Sequence, residues 1–70
     1  MWKNGTIDGC EYWIKVYDEP SIHGIDQGKV SKLTVKRDGH EIINFDRGWD
    51  QMPQTQEDQA ILEKLLKMYN

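Results

Sequence analysis

The stretch from Asn44 to Pro53 contains the least ordinary set of side chains in the chain. Asp46, Arg47, Trp49 and Asp50 stand close together around a single glycine. An arginine can bind a carboxylate or a phosphate through two parallel hydrogen bonds, and a neighbouring indole adds an apolar plate, which is typical of binding hot spots. The same residues can form a corner that satisfies itself, with Arg47 bridging the carboxylates and Trp49 packed on the core. The sequence leaves both interpretations open.

A second cluster of reactive side chains lies in the polar segment from Asp18 to Gly28. His23 is near Asp18, Glu19 and Asp26 in the sequence, and such a set could bind a divalent cation or transfer protons. The spacing does not match the regular ligand positions of a calcium-binding loop. We therefore predict neither a metal ion nor a cofactor, and keep His23 as a candidate for ligand binding in a long loop.

The elements that would position these residues are mainly strands. Three segments show the alternating pattern of strands with one buried face, and a shorter segment precedes them as the first strand of a hairpin. Two Asp-Gly pairs mark turns. The predicted strands are Trp2 to Ile7, Cys10 to Tyr17, Lys29 to Lys36 and His40 to Asp46. Trp2 and Ile7 are expected to be the apolar anchors of the first strand. Cys10 is expected to be a small core residue, because buried free cysteine behaves mainly as a hydrophobe. In the long loop, Ile22 and Ile25 should cover an edge of the core.

The alternation also predicts on which side of the sheet each residue lies. The inner side should carry Tyr12, Ile14, Ser31, Leu33, Val35, Glu41, Ile43 and Phe45. The outer side should carry Glu11, Trp13, Lys15, Tyr17, Val30, Lys32, Thr34 and Lys36.

Aromatic and basic residues therefore alternate on the outer side, and three interpretations of that surface remain open. Trp13 and Tyr17 between lysines such as Lys15 and Lys32 could contact a protein partner or a second copy of the chain. They could stack on a nucleotide whose phosphates meet the lysines. They could also be ordinary cross-strand pairs on a solvated face.

A helix is predicted after Pro53. Thr55 can cap its first turn, Asp58 occupies the acceptor position of a capping box, and apolar residues then recur at helical spacing. The apolar stripe consists of Ile61, Leu62, Leu65, Leu66 and Tyr69. One amphipathic helix on one face of a small antiparallel sheet gives an α+β domain of order β-β-β-β-α that covers residues 1–70.

Length and charge exclude several classes of function. A 70-residue chain buries only about 60% of the surface that it exposes when unfolded, so we expect no deep enzyme cleft and predict self-association, most simply as a homodimer. The net charge of −3 argues against general binding of nucleic acid, and no apolar stretch is long enough to span a bilayer. One cysteine and no leader pattern predict a cytoplasmic protein. No catalytic motif occurs, and we expect no enzyme activity.

Several motifs resemble one family of proteins. They are Lys-Val-Tyr-Asp-Glu at 15–19, Gly-Ile at 24–25, Gly-Lys-Val-Ser-Lys-Leu at 28–33 and Phe-Asp-Arg-Gly-Trp-Asp at 45–50. In this order they resemble small uncharacterised proteins of Gram-positive bacteria and of their phages and prophages. The resemblance implies stoichiometric binding, for example inhibition of a host defence complex or sequestration of a signalling nucleotide. It implies no particular activity, because fold and context do not specify function. A housekeeping domain without a ligand remains a further alternative.

Overall fold

One antiparallel sheet and one helix make up the structure, a computed structural model that describes residues 1–70. The strands are β1 (Trp2–Ile7), β2 (Cys10–Val16), β3 (Val30–Arg37), β4 (His40–Asp46) and β5 (Trp49–Gln51), and the helix is α1 (Gln56–Tyr69). The strands lie in the sheet in the order in which they occur in the chain. The predicted α+β class is confirmed.

The prediction of four strands is wrong by one, because the corner after β4 contains a short fifth strand. Trp49 pairs with Phe45 and Gln51 pairs with Asn44, which leaves Asp50 as an extra residue between the two pairs. A three-residue strand is too short to show alternation in a sequence. The corner is therefore itself the edge of the sheet.

Two Asp-Gly turns connect β1 to β2 and β3 to β4, as predicted. Asp8 and Gly9 have φ values of 49° and 78°, and Asp38 and Gly39 have φ values of 52° and 79°. Positive φ at both central residues defines the type I′ turn, whose twist matches that of the adjoining strands. These turns set the register of both hairpins.

Two bulges change the side on which some residues lie. Lys15 pairs with Lys32 whereas Val16 pairs with Val30, so one residue of β3 is skipped and Val30 is completely buried. Similarly, Glu41 lies opposite Lys36, because the register shifts by one residue in β4. The predicted outer position of Val30 and the predicted inner position of Glu41 are therefore wrong, since an extra residue inverts the alternation.

The core lies between the sheet and α1. Cys10 belongs to it, as predicted, and the side chains of α1 that enter it are Ile61, Leu62 and Leu65. The other members come from the strands and the long loop: Tyr12, Ile14, Ile25, Val30, Leu33, Val35, Ile43 and Phe45. No helix in the structure combines the length and apolar character that crossing a membrane requires.

The long loop between β2 and β3 confirms one expected core residue and contradicts the other. Ile25 is buried, whereas the side chain of Ile22 is 79% exposed. Asn70, at the end of α1, holds the loop in place: its amide donates to the carbonyl of Ile25, and its Oδ1 accepts from the backbone N–H of Val30, both at 3.1 Å. Only the segment fixed by Asn70 therefore reaches the core.

Thr55 caps α1, as predicted, and a substitution tests the strength of this cap. The Thr55 hydroxyl accepts a hydrogen bond of 3.1 Å from the backbone N–H of Asp58. Thr55→Ala should lower the free energy of unfolding by about 1 kcal/mol, because that N–H loses its partner. Thr55→Ser keeps the hydroxyl and is the control. Equal urea midpoints for the alanine variant and the wild type would contradict the prediction.

Candidate functional site

Helix α1 covers only one face of the sheet, and the opposite face, called here the open face, is free of any other element. The pairing of β1, β2, β3 and β4 arranges its side chains in three rows across the strands. The rows are Trp2, Lys15, Lys32 and Asp46; Asn4, Trp13, Thr34 and Asn44; and Thr6, Glu11, Lys36 and Glu41. The open face therefore brings together four of the residues that the sequence indicated, Trp13, Lys15, Lys32 and Asp46.

The centre of the open face is aromatic. The side chain of Trp13 is 37% exposed and that of Trp2 is 56% exposed. With Thr34 and Lys36 they line a shallow depression of about 410 Å³. The ammonium of Lys36 lies 5.7 Å from the centroid of the Trp13 ring, which is a cation–π distance. This surface can offer a broad apolar contact with cations at its margin.

Trp2 was expected to be an apolar anchor, and the structure contradicts this expectation. Trp2 lies opposite Lys15 on the open face and is exposed. The signal for this placement is present in the sequence, because a two-residue Asp-Gly turn fixes the register of the first hairpin. Counting back from that turn pairs Trp2 with Lys15 and Asn4 with Trp13. Alternation within one strand was not sufficient to show it.

The open face carries balanced charge. Its three lysines are accompanied by three carboxylates, so the net charge of −3 resides on the rest of the molecule. Lys15 and Lys32 lie directly opposite each other, an arrangement that costs stability. Lys32 is partly compensated by Asp46, with 3.7 Å between Nζ and Oδ1. The local excess of positive charge at Lys15 is available to an acidic ligand.

Tyr17 extends this positive region beyond the end of β2. The side chain of Tyr17 is exposed, and the ammonium of Lys15 lies 5.3 Å from the centroid of its ring. Lys15 holds the pKa of the Tyr17 phenol below its ordinary value, with smaller contributions from Ser31 and Arg47. Arg47 is held at the same corner of the sheet, because its backbone N–H donates to the carbonyl of Ser31.

Trp49 and Arg47 have different roles at the corner between β4 and β5. The ring of Trp49 is half-buried and meets Phe45 edge-on, with 5.0 Å between centroids and 72° between planes. Arg47 is exposed and forms no ion pair with Asp46 or Asp50. Trp49 therefore packs as in the structural interpretation of the sequence, whereas the guanidinium of Arg47 is free to bind.

The backbone at Arg47 has an unusual conformation. Arg47 has a φ of 58°, in the left-handed region, whereas Gly48 does not have positive φ. Glycine adopts positive φ most readily, yet at this corner the left-handed residue is the arginine. A hydrogen bond of 3.2 Å from the Arg47 N–H to the carbonyl of Ser31 holds this conformation.

A family comparison gives this arrangement a context. The model of a domain of unknown function, DUF7678, matches residues 1–70. The chain belongs to the DUF7678 family. No curated protein and no solved structure matches it. The resemblance to a family of uncharacterised proteins is confirmed to this extent. The match to DUF7678 assigns no activity to the chain.

His23 lies in the long loop of this DUF7678 chain and is exposed. Its backbone N–H donates to the hydroxyl of Ser21 at 3.1 Å. The carboxylates near it in the sequence do not gather around it, and nowhere do three His, Cys, Asp or Glu side chains form a group that could hold a metal ion. No hydrogen bond connects the His23 side chain to the open face.

An ion pair at the N-terminal end of α1 was not anticipated. The guanidinium of Arg37 donates to the Asp58 carboxylate at 2.8 Å, and Asp58 is only 5% exposed. The hydrogen bond that Arg37 donates to the Asp58 carboxylate raises the pKa of the guanidinium. Asp58 therefore binds β3 rather than completing a capping box. Arg37 also lines a depression of about 290 Å³ with Asp8, Glu57 and Ile61.

Trp49 also contributes to a depression of about 290 Å³ between β5, α1 and the long loop of the DUF7678 chain. Met52, Leu62 and Leu66 form its apolar part, and Glu63 lies at its margin. It has no cluster of charge comparable to that on the open face. The open face is the stronger candidate for binding.

Proposed function

We propose that this protein is a non-enzymatic binding module that acts by stoichiometric binding of a protein partner through the open face. One observation carries the proposal: α1 covers one side of the sheet and leaves Trp13 and Trp2 exposed on the other, beside three lysines. Tryptophan is enriched at the centre of protein interfaces and is a frequent hot spot. An exposed pair of indoles on an ordered sheet is therefore a surface for association.

The shape of the open face favours a protein over a small ligand. Ligand pockets usually bury most of a small molecule in a concave cavity, whereas the depression at Trp13 is lined by only four residues of a sheet surface. Lysines and carboxylates alternate around it. Such a pattern is complementary to a partner surface of mixed charge and gives specificity through electrostatic complementarity.

The resemblance to phage and prophage proteins supports a more specific form of the proposal. The partner is then a host protein, and the module inhibits a host defence system by occupying a surface of one component. This function places the protein in the cytoplasm, in agreement with a single buried thiol and no disulfide. Inhibition by occupancy needs no catalytic group.

A nucleotide is the second candidate ligand, and one observation favours it. The opposed pair Lys15 and Lys32 lies beside Trp2 and Trp13, with Tyr17 and Arg47 at the same corner. A base stacked on an indole would place its phosphates within reach of these cations. In this form the protein sequesters a signalling nucleotide.

Capture of host proteins on the immobilised chain, followed by titration with the purified partner, tests the proposal. Trp13→Ala should weaken a one-to-one complex at least about 30-fold, the equivalent of a hot spot of about 2 kcal/mol. Met68→Ala removes an exposed apolar side chain from α1 and is the control, with unchanged affinity expected. Equal affinities of the two variants would exclude the open face. In a parallel assay, a rise in melting temperature with nucleotide concentration identifies the second candidate.

A further inference from the structure

Strand β1 is an uncovered edge of the sheet. It contains six residues, includes no proline, and pairs with β2 without a bulge. The opposite edge, β5, has only three residues and is followed by Pro53. Proteins usually block long edge strands with proline, lysine, bulges or a covering element, because a free edge pairs with other chains. Of these devices β1 has only a lysine, Lys3.

The hydrogen-bonding pattern identifies the backbone groups that remain free on β1. Met1 and Val16 exchange two hydrogen bonds, of 2.8 Å and 2.9 Å. In an antiparallel pair, such residues alternate with residues whose N–H and C=O point away from the partner strand. The outward-pointing groups therefore belong to Trp2, Asn4 and Thr6, and no side chain or loop of the chain bonds to them.

We propose that two copies of this chain pair through β1 in an antiparallel arrangement with a two-fold axis at Asn4. Asn4 then lies opposite Asn4 of the second copy, and Trp2 lies opposite Thr6 of the second copy. Each of these pairs exchanges two hydrogen bonds, and every free backbone group of β1 is satisfied. The two five-stranded sheets become one sheet of ten strands.

Other antiparallel registers of β1 are inferior. A shift of two residues in one direction leaves Thr6 unpaired and places Lys3 opposite Lys3 of the second copy, which is repulsive. A shift in the other direction leaves Trp2 unpaired and places Lys3 opposite Ile7 of the second copy. Odd shifts misalign the free N–H and C=O groups altogether. The register centred on Asn4 is therefore the one that the sequence of β1 selects.

Lys3 is accommodated in this register. It lies on the helix side of the sheet, opposite Ile14, and is exposed. In the dimer it faces Gly5 of the second copy, whose backbone is covered by the ring of Tyr12: a Cβ at Gly5 would come within 2.9 Å of the Tyr12 hydroxyl. That hydroxyl is already bonded to Tyr69 at 2.8 Å. The lysine therefore meets an aromatic ring and oxygen atoms rather than a second cation.

The dimer extends the open face. A two-fold axis normal to the sheet places both helices on one side, and both open faces on the other. Trp2 and Trp13 of each copy then form one central aromatic surface, and the exposure of Trp2 falls. A small domain with a limited core gains the burial that its own size does not provide. This inference does not depend on the proposed protein partner.

Engineered cysteines test the register directly. Residues in a hydrogen-bonded antiparallel pair have Cα atoms about 5.5 Å apart, within the range that a disulfide bridges. Asn4→Cys should therefore form a disulfide-linked dimer in a glutathione redox buffer at micromolar protein concentration. Thr6→Cys is the matched control: it stands four positions out of register from its copy, about 13 Å away, and should stay monomeric on a non-reducing gel. Cys10 is 1% exposed and does not compete.

Three results would overturn the proposal. They are no cross-linking of Asn4→Cys, equal cross-linking of both variants, and a wild-type chain that sediments only as a monomer at several hundred micromolar. Asn4→Pro gives a further test, because it removes an N–H that β2 does not use and is tolerated on an edge strand. It should shift the sedimenting species from dimer to monomer. If this variant does not fold, the cysteine pair still decides between the outcomes.

Discussion

Replacing Leu65 with alanine should lower the free energy of unfolding by about 2 to 5 kcal/mol. Leu65 is completely buried and belongs to the stripe by which α1 contacts the sheet. Truncation removes the transfer free energy of its side chain and leaves a cavity that a close-packed core fills only partly. For a domain of this size, with a total stability of about 4 to 10 kcal/mol, such a loss approaches complete unfolding.

Urea denaturation followed by circular dichroism measures this effect. Met68→Ala is the matched control, because Met68 lies in the same helix and is 59% exposed. Its unfolding midpoint should change little, since exposed substitutions usually shift stability by no more than about 0.5 kcal/mol. Similar midpoints for Leu65→Ala and Met68→Ala would show that α1 does not pack on the sheet through the face described.

Replacing Trp49 with alanine should also be costly, by about 2 kcal/mol, whereas Arg47→Ala should change stability by less than about 0.5 kcal/mol. Trp49 is half-buried and its ring packs edge-on against Phe45. Aromatic pairs in this geometry add to the free energy of burial. The guanidinium of Arg47 is exposed and has no carboxylate partner, so its removal leaves nothing unsatisfied.

Thermal and urea unfolding of the two variants separate structural from binding roles at this corner. Trp49→Phe keeps an aromatic ring against Phe45 and should restore much of the lost stability. If Arg47 contributes to the open face, Arg47→Ala weakens binding of the partner or nucleotide with an unchanged melting temperature. An equal loss of stability in the Arg47 and Trp49 variants would instead assign both residues to the corner itself.

The candidate site was predicted in part from alternation alone. Trp13, Lys15 and Lys32 were assigned to one side of the sheet, and they lie on it because β2 and the middle of β3 are regular there. Trp2 was missed, because its position depends on pairing with another strand rather than on its own neighbours. The sequence also did not predict that Trp49 packs against Phe45 whereas Arg47 stays exposed, because this depends on a strand of only three residues.

Elements encoded by short-range interactions were determined by the sequence itself. The Asp-Gly pairs form type I′ turns because aspartate and glycine tolerate positive φ, and Thr55 caps α1 because its hydroxyl reaches an N–H three residues ahead. The burial of Leu65 follows from helical periodicity. Each of these features depends on a pattern of residues that are close together in the sequence, so the local sequence contains the necessary information.

Features that involve distant residues were decided only by the tertiary structure. Val30 is buried because a bulge allows β3 to stay paired with β2 while the Val30 side chain enters the core. Asp58 accepts a hydrogen bond from Arg37 because α1 and β3 come together there. Asn70 fixed the loop from 40 residues away. In each case several local arrangements have similar energies, and the choice between them depends on which groups the rest of the fold leaves buried or unpaired.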